Sequence, residues 1–207
     1  MYIQITTRCN MECEHCCYSC TSEGEDMTLE TFEKCLEWGD EYPALGGGEP
    51  TIHPQFEKFL LLAIGSCEQV WLATNGKETK RALLLAKLAR AGVISCELSQ
   101  DEWHERIDGE VIEAFRKETR RGEYLSNQNN GDCRGYRDIS REGEKKPINS
   151  GRCDWGDDGC PCEGMFIKPN GDIHQCGCEE SPKLGNINDE SFDYSWEFEC
   201  YKNAEEK

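Results

Sequence analysis

The chain reads as an α/β protein: a parallel sheet built from β/α units, followed by a small cysteine-rich β-hairpin extension. Three observations predict this. Four short apolar runs alternate with segments of helical period across residues 2–120. Each run ends in a loop of Gly, Asn, Ser, Thr or Cys and not in a two-residue turn, as parallel strands joined by helices require. Near the end, Met165–Lys168 and Ile173–Cys176 flank Pro169-Asn170-Gly171-Asp172, a strand–turn–strand pattern with strong turn chemistry.

Taken in order, Tyr2–Ile5 is the first strand, and a cysteine-rich loop follows it. An acidic linker, Ser22 to Asp26, leads to Thr28 as the N-cap of a helix with Leu29, Phe32 and Leu36 on one face and Gly39 as its stop. Tyr42–Leu45 is the second strand and runs into Gly46-Gly47-Gly48-Glu49-Pro50. A helix opens near Pro54, with Phe56, Phe59, Leu60 and Ile64 inward. Val70–Ala73 is the third strand, ending at Thr74-Asn75-Gly76. The next helix spans Thr79–Ala91, with Gly92 as its C′ residue. Val93–Leu98 is the fourth strand, followed by Ser99-Gln100-Asp101 and a helix over Gly109–Arg120. From Arg120 to Asp158 the periodicity fails, and only Tyr136 and Ile139 hint at a further strand. In open parallel sheets ligands bind beyond the carboxyl ends of the strands, so the four post-strand loops converge on one rim.

Composition narrows the function. With 23 basic and 41 acidic residues the net charge is −18, which argues against tight nonspecific binding to duplex nucleic acid. No apolar run approaches the roughly 18 residues of a membrane span. The chain opens in strand-like sequence without a basic-plus-apolar leader, which points to the cytoplasm. Fifteen cysteines, an odd number, with no export signal do not suggest a disulfide framework. They form two groups: Cys9, Cys13, Cys16, Cys17 and Cys20, then Cys153, Cys160, Cys162, Cys176 and Cys178. Two groups suggest two metal sites. Cys35, Cys67 and Cys96 sit in or beside apolar segments as small core residues.

Cys9, Cys13 and Cys16 stand at C-x3-C-x2-C spacing on one loop. Three such thiolates can hold three irons of a cubane iron–sulfur cluster and leave the fourth iron open to a small molecule. The same thiols could hold structural zinc. Consecutive glycines at 46–48 let the backbone approach a ligand closely, and Glu49 adds an acceptor. A flexible turn is the bland alternative.

The cysteine loop after the first strand, together with Gly46-Gly47-Gly48-Glu49-Pro50-Thr51-Ile52-His53-Pro54, resembles the radical S-adenosylmethionine (SAM) superfamily. The resemblance implies a partial (β/α) barrel, here shortened to four recognisable units. It implies a 4Fe–4S cluster on Cys9, Cys13 and Cys16 whose open iron chelates SAM. Gly46, Gly47, Gly48 and Glu49 would face the amino group of SAM. Thr74, Asn75 and Ser99 would approach its methionyl and ribose parts, although each also suits ordinary turn chemistry. His15 would lie near the adenine or face solvent. Glu102 and His104 read as solvated residues ahead of the helix.

The tail resembles the SPASM and twitch extensions that carry auxiliary iron–sulfur clusters, through Cys160, Gly171, Cys176 and Leu184-Gly185-Asn186-Ile187. It implies a second, auxiliary 4Fe–4S cluster on Cys160 and Cys176, completed from Cys153, Cys162, Cys178 or Cys200; a zinc knuckle is the alternative. The expected domains are residues 1–150, a radical SAM partial barrel, and 151–207, a twitch-like extension. The expected partners are an external electron donor such as flavodoxin or ferredoxin and a small-molecule, nucleoside or peptide substrate. The basic stretches Arg116–Arg121 and Arg134–Lys146 keep a nucleoside on DNA open. The reading from another class is a non-catalytic zinc-binding interaction module.

Overall fold

The computed structural model describes residues 1–13, 16, 18, 20–100, 104–116, 165–175, 177 and 181–192. The expectations for His15, Cys17, Glu102, the Tyr136/Ile139 strand, most of the basic stretches and Cys153, Cys160, Cys162, Cys176, Cys178 and Cys200 lie outside these residues.

Four parallel strands lie in sequence order: β1 (Tyr2–Thr6), β2 (Ala44–Gly47), β3 (Trp71–Thr74) and β4 (Ser95–Leu98). Between them run α1 (Leu29–Glu37), α2 (Phe56–Ser66) and α3 (Thr79–Ala91), and α4 (Gly109–Phe115) follows β4. Right-handed crossovers between parallel neighbours place successive helices on one face, so the sheet is the start of a barrel that does not close.

On the other side of β1 the C-terminal hairpin joins the same sheet. β5 (Phe166–Ile167) pairs parallel with β1, and β6 (Asp172–His174) and β7 (Lys183–Asn186) continue antiparallel. The full order is β4-β3-β2-β1-β5-β6-β7. The hairpin is therefore a direct continuation of the barrel sheet. β7 carries no apolar alternation (Lys183-Leu184-Gly185-Asn186) and has no strand signature in sequence; it forms because β6 offers it a pairing edge.

The second and third strands sit one or two residues closer to the rim than their apolar runs indicate. β2 extends into Gly46 and Gly47 because these pair with Gln4 and Thr6 of β1. The helices match their periodicity more closely. Thr28 caps α1 by accepting from the Thr31 N–H, and Gly92 ends α3 at φ 77°.

One core lies between sheet and helices. Ile3, Ile5, Leu45, Leu72 and Leu98 come from the parallel strands, and Phe32 stacks on Phe59 at 4.2 Å between α1 and α2. Ile167, Ile173 and Ile187 of the hairpin belong to the same cluster. As the sequence indicates, Cys35 and Cys96 are buried core residues, while Cys67 is only partly buried. No helix among the described residues is long and apolar enough to cross a membrane.

Candidate cofactor site at the strand ends

The loop after β1 leaves and returns along a fixed path. Thr7 N–H bonds Glu25 O at 2.9 Å, Cys9 N–H bonds Thr21 O at 2.6 Å, and Met27 N–H bonds Ile5 O at 2.8 Å. The stretch Ser22–Asp26, expected as a linker, is pinned along β1. The cause is Asp26, which accepts from Arg8 Nε at 3.1 Å, Arg8 Nη2 at 2.7 Å and Thr6 Oγ1 at 2.7 Å. A bidentate Arg–carboxylate pair at the loop's neck offsets the acidity that made it look solvated.

Within this loop Cys9, Met11 and Cys20 are buried, and Cys13, Cys16, Tyr18 and Ile107 pack against them. N–H donors face the Cys9 and Cys16 sulfurs. Cys9 Sγ lies 3.4 Å from Met11 N and 3.7 Å from Asn75 Nδ2. Cys16 Sγ lies 3.4 Å from Cys20 N. Burial, more than the neighbouring charges, pushes the Cys9 thiol up. Contact with Cys16, then burial, pushes the Cys20 thiol up. Among the described residues no three His, Cys, Asp or Glu side chains gather as ligands of a single ion. Three thiols spread over one loop, with N–H groups aimed at the Cys9 and Cys16 sulfurs, suit an iron–sulfur cluster, where each thiolate serves its own iron and hydrogen bonds moderate its charge.

The three glycines are demanded by β1 and the cysteine loop that follows it. A Cβ on Gly46 would collide with the Tyr2 ring, one on Gly47 with Thr6 O, and one on Gly48 with Arg8 O and with Cys20 Cβ at 2.9 Å. Gly47 N–H donates to Tyr2 Oη at 3.1 Å, Gly48 N–H to Thr6 O at 3.0 Å and Glu49 N–H to Arg8 O at 2.9 Å. The close approach expected toward a ligand is thus first an approach of two backbones, which brings the glycine stretch against the cysteine loop.

Glu49 is 1% exposed, and its carboxylate is heavily used. Oε1 accepts from Thr51 N at 3.1 Å, from Thr74 Oγ1 at 2.8 Å and from Thr51 Oγ1; Oε2 accepts from Asn75 N at 2.7 Å. Burial raises its pKa, and these donors oppose the rise. Arg81 of α3 donates to Thr51 O, fixing the 3₁₀ turn Pro50–Ile52 that follows. His53 is buried too: it accepts at Nδ1 from Gln55 N–H and therefore donates at Nε2 to Met27 O, 3.1 Å away.

Asn75 links all three loops. Besides its N–H bond to Glu49, its Nδ2 reaches Asn10 Oδ1 at 2.9 Å and Cys9 Sγ, while Oδ1 caps the turn by accepting from Lys77 N at 3.0 Å. Thr74 and Asn75 shape the turn, as turn chemistry leads one to expect, and Asn75 also faces the cysteine loop. Ser99 N–H bonds Thr74 O at 2.8 Å, joining the β4 end to the same rim.

Lys77 escaped the sequence reading, and Gln100 entered it only as part of the Ser99–Asp101 loop. Lys77 Nζ bonds Asn10 O and Glu105 Oε2, each at 2.6 Å, clasping the cysteine loop to the segment before α4. Gln100 Oε1 is buried and has no hydrogen-bond partner among the described residues, an acceptor beside Ser99. Neither has a motif; an unsatisfied acceptor is visible only once its surroundings are known. Arg116, from the basic stretch, pairs with Glu113 at 2.8 Å.

The hairpin meets the cysteine loop through aromatic rings. Phe166 stacks on Tyr2 at 5.0 Å and lies 5.6 Å from Tyr18, and a Cβ on Gly177 would stand 3.2 Å from Tyr18 Oη. Tyr18 lies between Cys16 and Cys20 in sequence, so Gly177 stands against the N-terminal cysteine loop.

Comparison with known proteins agrees with this architecture. A protein from Pyrococcus furiosus, tungsten-containing aldehyde ferredoxin oxidoreductase cofactor-modifying protein, is 32% identical over 108 residues, 49% of this chain and 30% of its own length. The S-adenosylmethionine-dependent nucleotide dehydratase of a Thermoplasmatales archaeon is 31% identical over 77 residues, 36% of this chain and 28% of its own length. The chain thus spans less than a third of these two relatives. Among solved structures, BtrN in complex with AdoMet and 2-DOIA superposes with a TM-score of 0.59 at 14% identity, covering 90% of this chain and 76% of that one. The iron–sulfur cluster-binding SPASM model matches residues 159–207, and the radical SAM model matches residues 3–127. The chain belongs to the radical SAM superfamily.

Proposed function

We propose that the chain is a radical SAM enzyme in which Cys9, Cys13 and Cys16 hold a 4Fe–4S cluster at the carboxyl rim of the sheet. The observation that carries this is Asn75, which touches the Cys9 sulfur and the Glu49 carboxylate at once and so joins the ends of β1, β2 and β3. When bound, the cluster supplies the electron that cleaves SAM to a 5′-deoxyadenosyl radical, which takes hydrogen from a substrate carbon. The protein positions and encloses these groups. The peptide groups of Gly46–Glu49 line the approach to the cysteine loop. The Glu49 carboxylate holds that stretch against β3 and is left with little free acceptor capacity. Gln100 Oε1 offers an acceptor for a hydroxyl or amino group of SAM or substrate. In this reading the C-terminal cysteines hold an auxiliary 4Fe–4S cluster, and a flavodoxin or ferredoxin supplies the reducing electron.

The substrate is a small sugar- or nucleoside-type molecule or a peptide. The nucleoside side is supported by the relative named as a nucleotide dehydratase. The net charge of −18 argues against duplex DNA as the carrier.

Anaerobic purification, iron and sulfide counts and a SAM-cleavage assay test the reading, with Cys13→Ala alongside. About eight irons and 5′-deoxyadenosine from the unmutated chain alone support it. Zinc without iron, and no cleavage, would leave the interaction module instead. Deuterated nucleotides and peptides then identify the substrate class by deuterium transfer into 5′-deoxyadenosine.

A further inference from the structure

Charge is spread unevenly over the described helices. α1 and α4 carry more acidic than basic residues, and α2 carries one of each, Glu57 and Lys58. α3 carries Lys80, Arg81, Lys87 and Arg90 and no acidic residue. The helix dipole does not call for this, since Lys80 and Arg81 stand in the first turn, where positive charge is unfavourable. Arg81 is engaged by Glu57 at 2.8 Å, and Arg90 donates to Ala114 O at 2.9 Å. Lys58, Lys80 and Lys87 are exposed and have no ion-pair partner among the described residues.

Two leucines lie among these lysines. Leu61 of α2 is 69% exposed and Leu84 of α3 is 39% exposed, and neither belongs to the core. The Glu57–Arg81 pair joins the two helices. Leu61 stands four residues beyond Glu57 and Leu84 three beyond Arg81, so each occupies the next turn on the same side of its helix. By the same spacing Lys58 flanks Leu61, and Lys80 and Lys87 flank Leu84. One exposed leucine is ordinary. Two of them ringed by unpaired lysines have the layout of a small interface, apolar at the centre and polar at the rim. The same helix end reaches the cofactor site: Lys77 bonds Asn10 O at 2.6 Å, next to Cys9, and Arg81 donates to Thr51 O.

We propose that the outer face of α2 and α3, centred on Leu61 and Leu84, docks an acidic one-electron carrier protein. The proposal rests on the reading that the N-terminal cluster is reduced from outside. The carrier gives up one electron and the cluster accepts it; no bond and no proton moves. Charge selects the occupant. A chain of net charge −18 repels an acidic protein at large, so a local basic face steers its approach. A patch of this size suits a redox encounter, which buries little surface.

The test uses the iron-loaded full chain, with an acidic flavodoxin and a ferredoxin as probes. Binding of the oxidised carrier is measured by calorimetry at low and high salt, and cluster reduction by stopped-flow absorbance. Dithionite-driven SAM cleavage is run alongside. Lys80→Glu/Lys87→Glu is expected to bind the carrier about tenfold more weakly at low salt and to lose most of the salt dependence. Leu61→Ala/Leu84→Ala is expected to weaken binding about tenfold at either salt concentration. Both keep dithionite-driven cleavage. Lys34→Glu/Lys183→Glu, with the same net charge but altered on α1 and β7, binds within about twofold of wild type. Wild-type affinity in either face variant overturns the proposal, as does an equal loss in the Lys34/Lys183 variant. Loss of dithionite-driven cleavage in a face variant also overturns it, placing the role inside the enzyme. So does a wild type that neither carrier binds. No cleavage by wild type under dithionite overturns the radical reading beneath it.

Discussion

Glu49 Oε2 accepts the Asn75 backbone N–H at 2.7 Å, across the gap between the ends of β2 and β3. With Thr51 and Thr74 on Oε1, the carboxylate ties together two loops that are 25 residues apart in sequence. Glu49→Gln places an amide N–H₂ among donors and is expected to lower stability by about 1–3 kcal/mol. It should also weaken SAM binding by disturbing Asn75. Urea unfolding and calorimetric SAM titration check both; unchanged stability with weakened binding would mean that the carboxylate acts on SAM directly.

Gly48→Ala places a methyl against Arg8 O and Cys20 Cβ. Neither neighbour is the free end of a flexible side chain, so the glycine stretch and the cysteine loop must move apart. A loss of about 1–3 kcal/mol is expected, together with lower iron retention, measured by denaturant melts and iron assay. Gly65→Ala, where a Cβ meets nothing within 4 Å, is the control.

Arg8 and Asp26 close the neck of the cysteine loop, each with side chains less than a third exposed. Arg8→Ala and Asp26→Asn should each destabilise by about 1–2 kcal/mol, between exposed and buried pairs. The double variant should lose less than the sum, because both remove one interaction. A double-mutant cycle in urea measures the coupling.

Burial lowers the pKa of His53, and burial likewise lowers that of the half-buried His174. The unfolded chain then binds more protons than the folded one below about pH 6.5, so stability falls as pH drops through that value toward the folded pKa. Each histidine contributes at most about 1.4 kcal/mol per pH unit. His53→Asn should flatten the stability–pH curve between about pH 5 and 6.5, read from urea midpoints. A variant curve parallel to wild type would assign the slope elsewhere.

Phe166 joins the hairpin to Tyr2 and Tyr18, and Ile167, Ile173 and Ile187 share the core with β1. Residues 1–150 alone would expose one edge of β1 and these contacts. Phe166→Ala is expected to cost about 3–5 kcal/mol, with barrel and hairpin unfolding in one transition by fluorescence and circular dichroism. Two separate transitions would make the extension an independent domain.

The order of β/α units was legible because it rests on local features: the period of Phe32, Phe59 and Leu85 toward the core, the Thr28 cap and the Gly92 stop. The site was legible as far as the spacing of Cys9, Cys13 and Cys16 and the run Gly46–Glu49, since such motifs are contiguous and their residue types have few other uses. The strand register, the burial of Glu49 and the place of the hairpin were decided only by tertiary structure. Gly46 and Gly47 became strand because β1 lies beside them, and Asp26 became ordered because Arg8 reaches it. Pairing of β5 with β1 joins residues more than 160 positions apart, and nothing local in a two-residue strand can specify that partner. Contacts of that range depend on shape and charge in three dimensions, which one-dimensional periodicity does not carry.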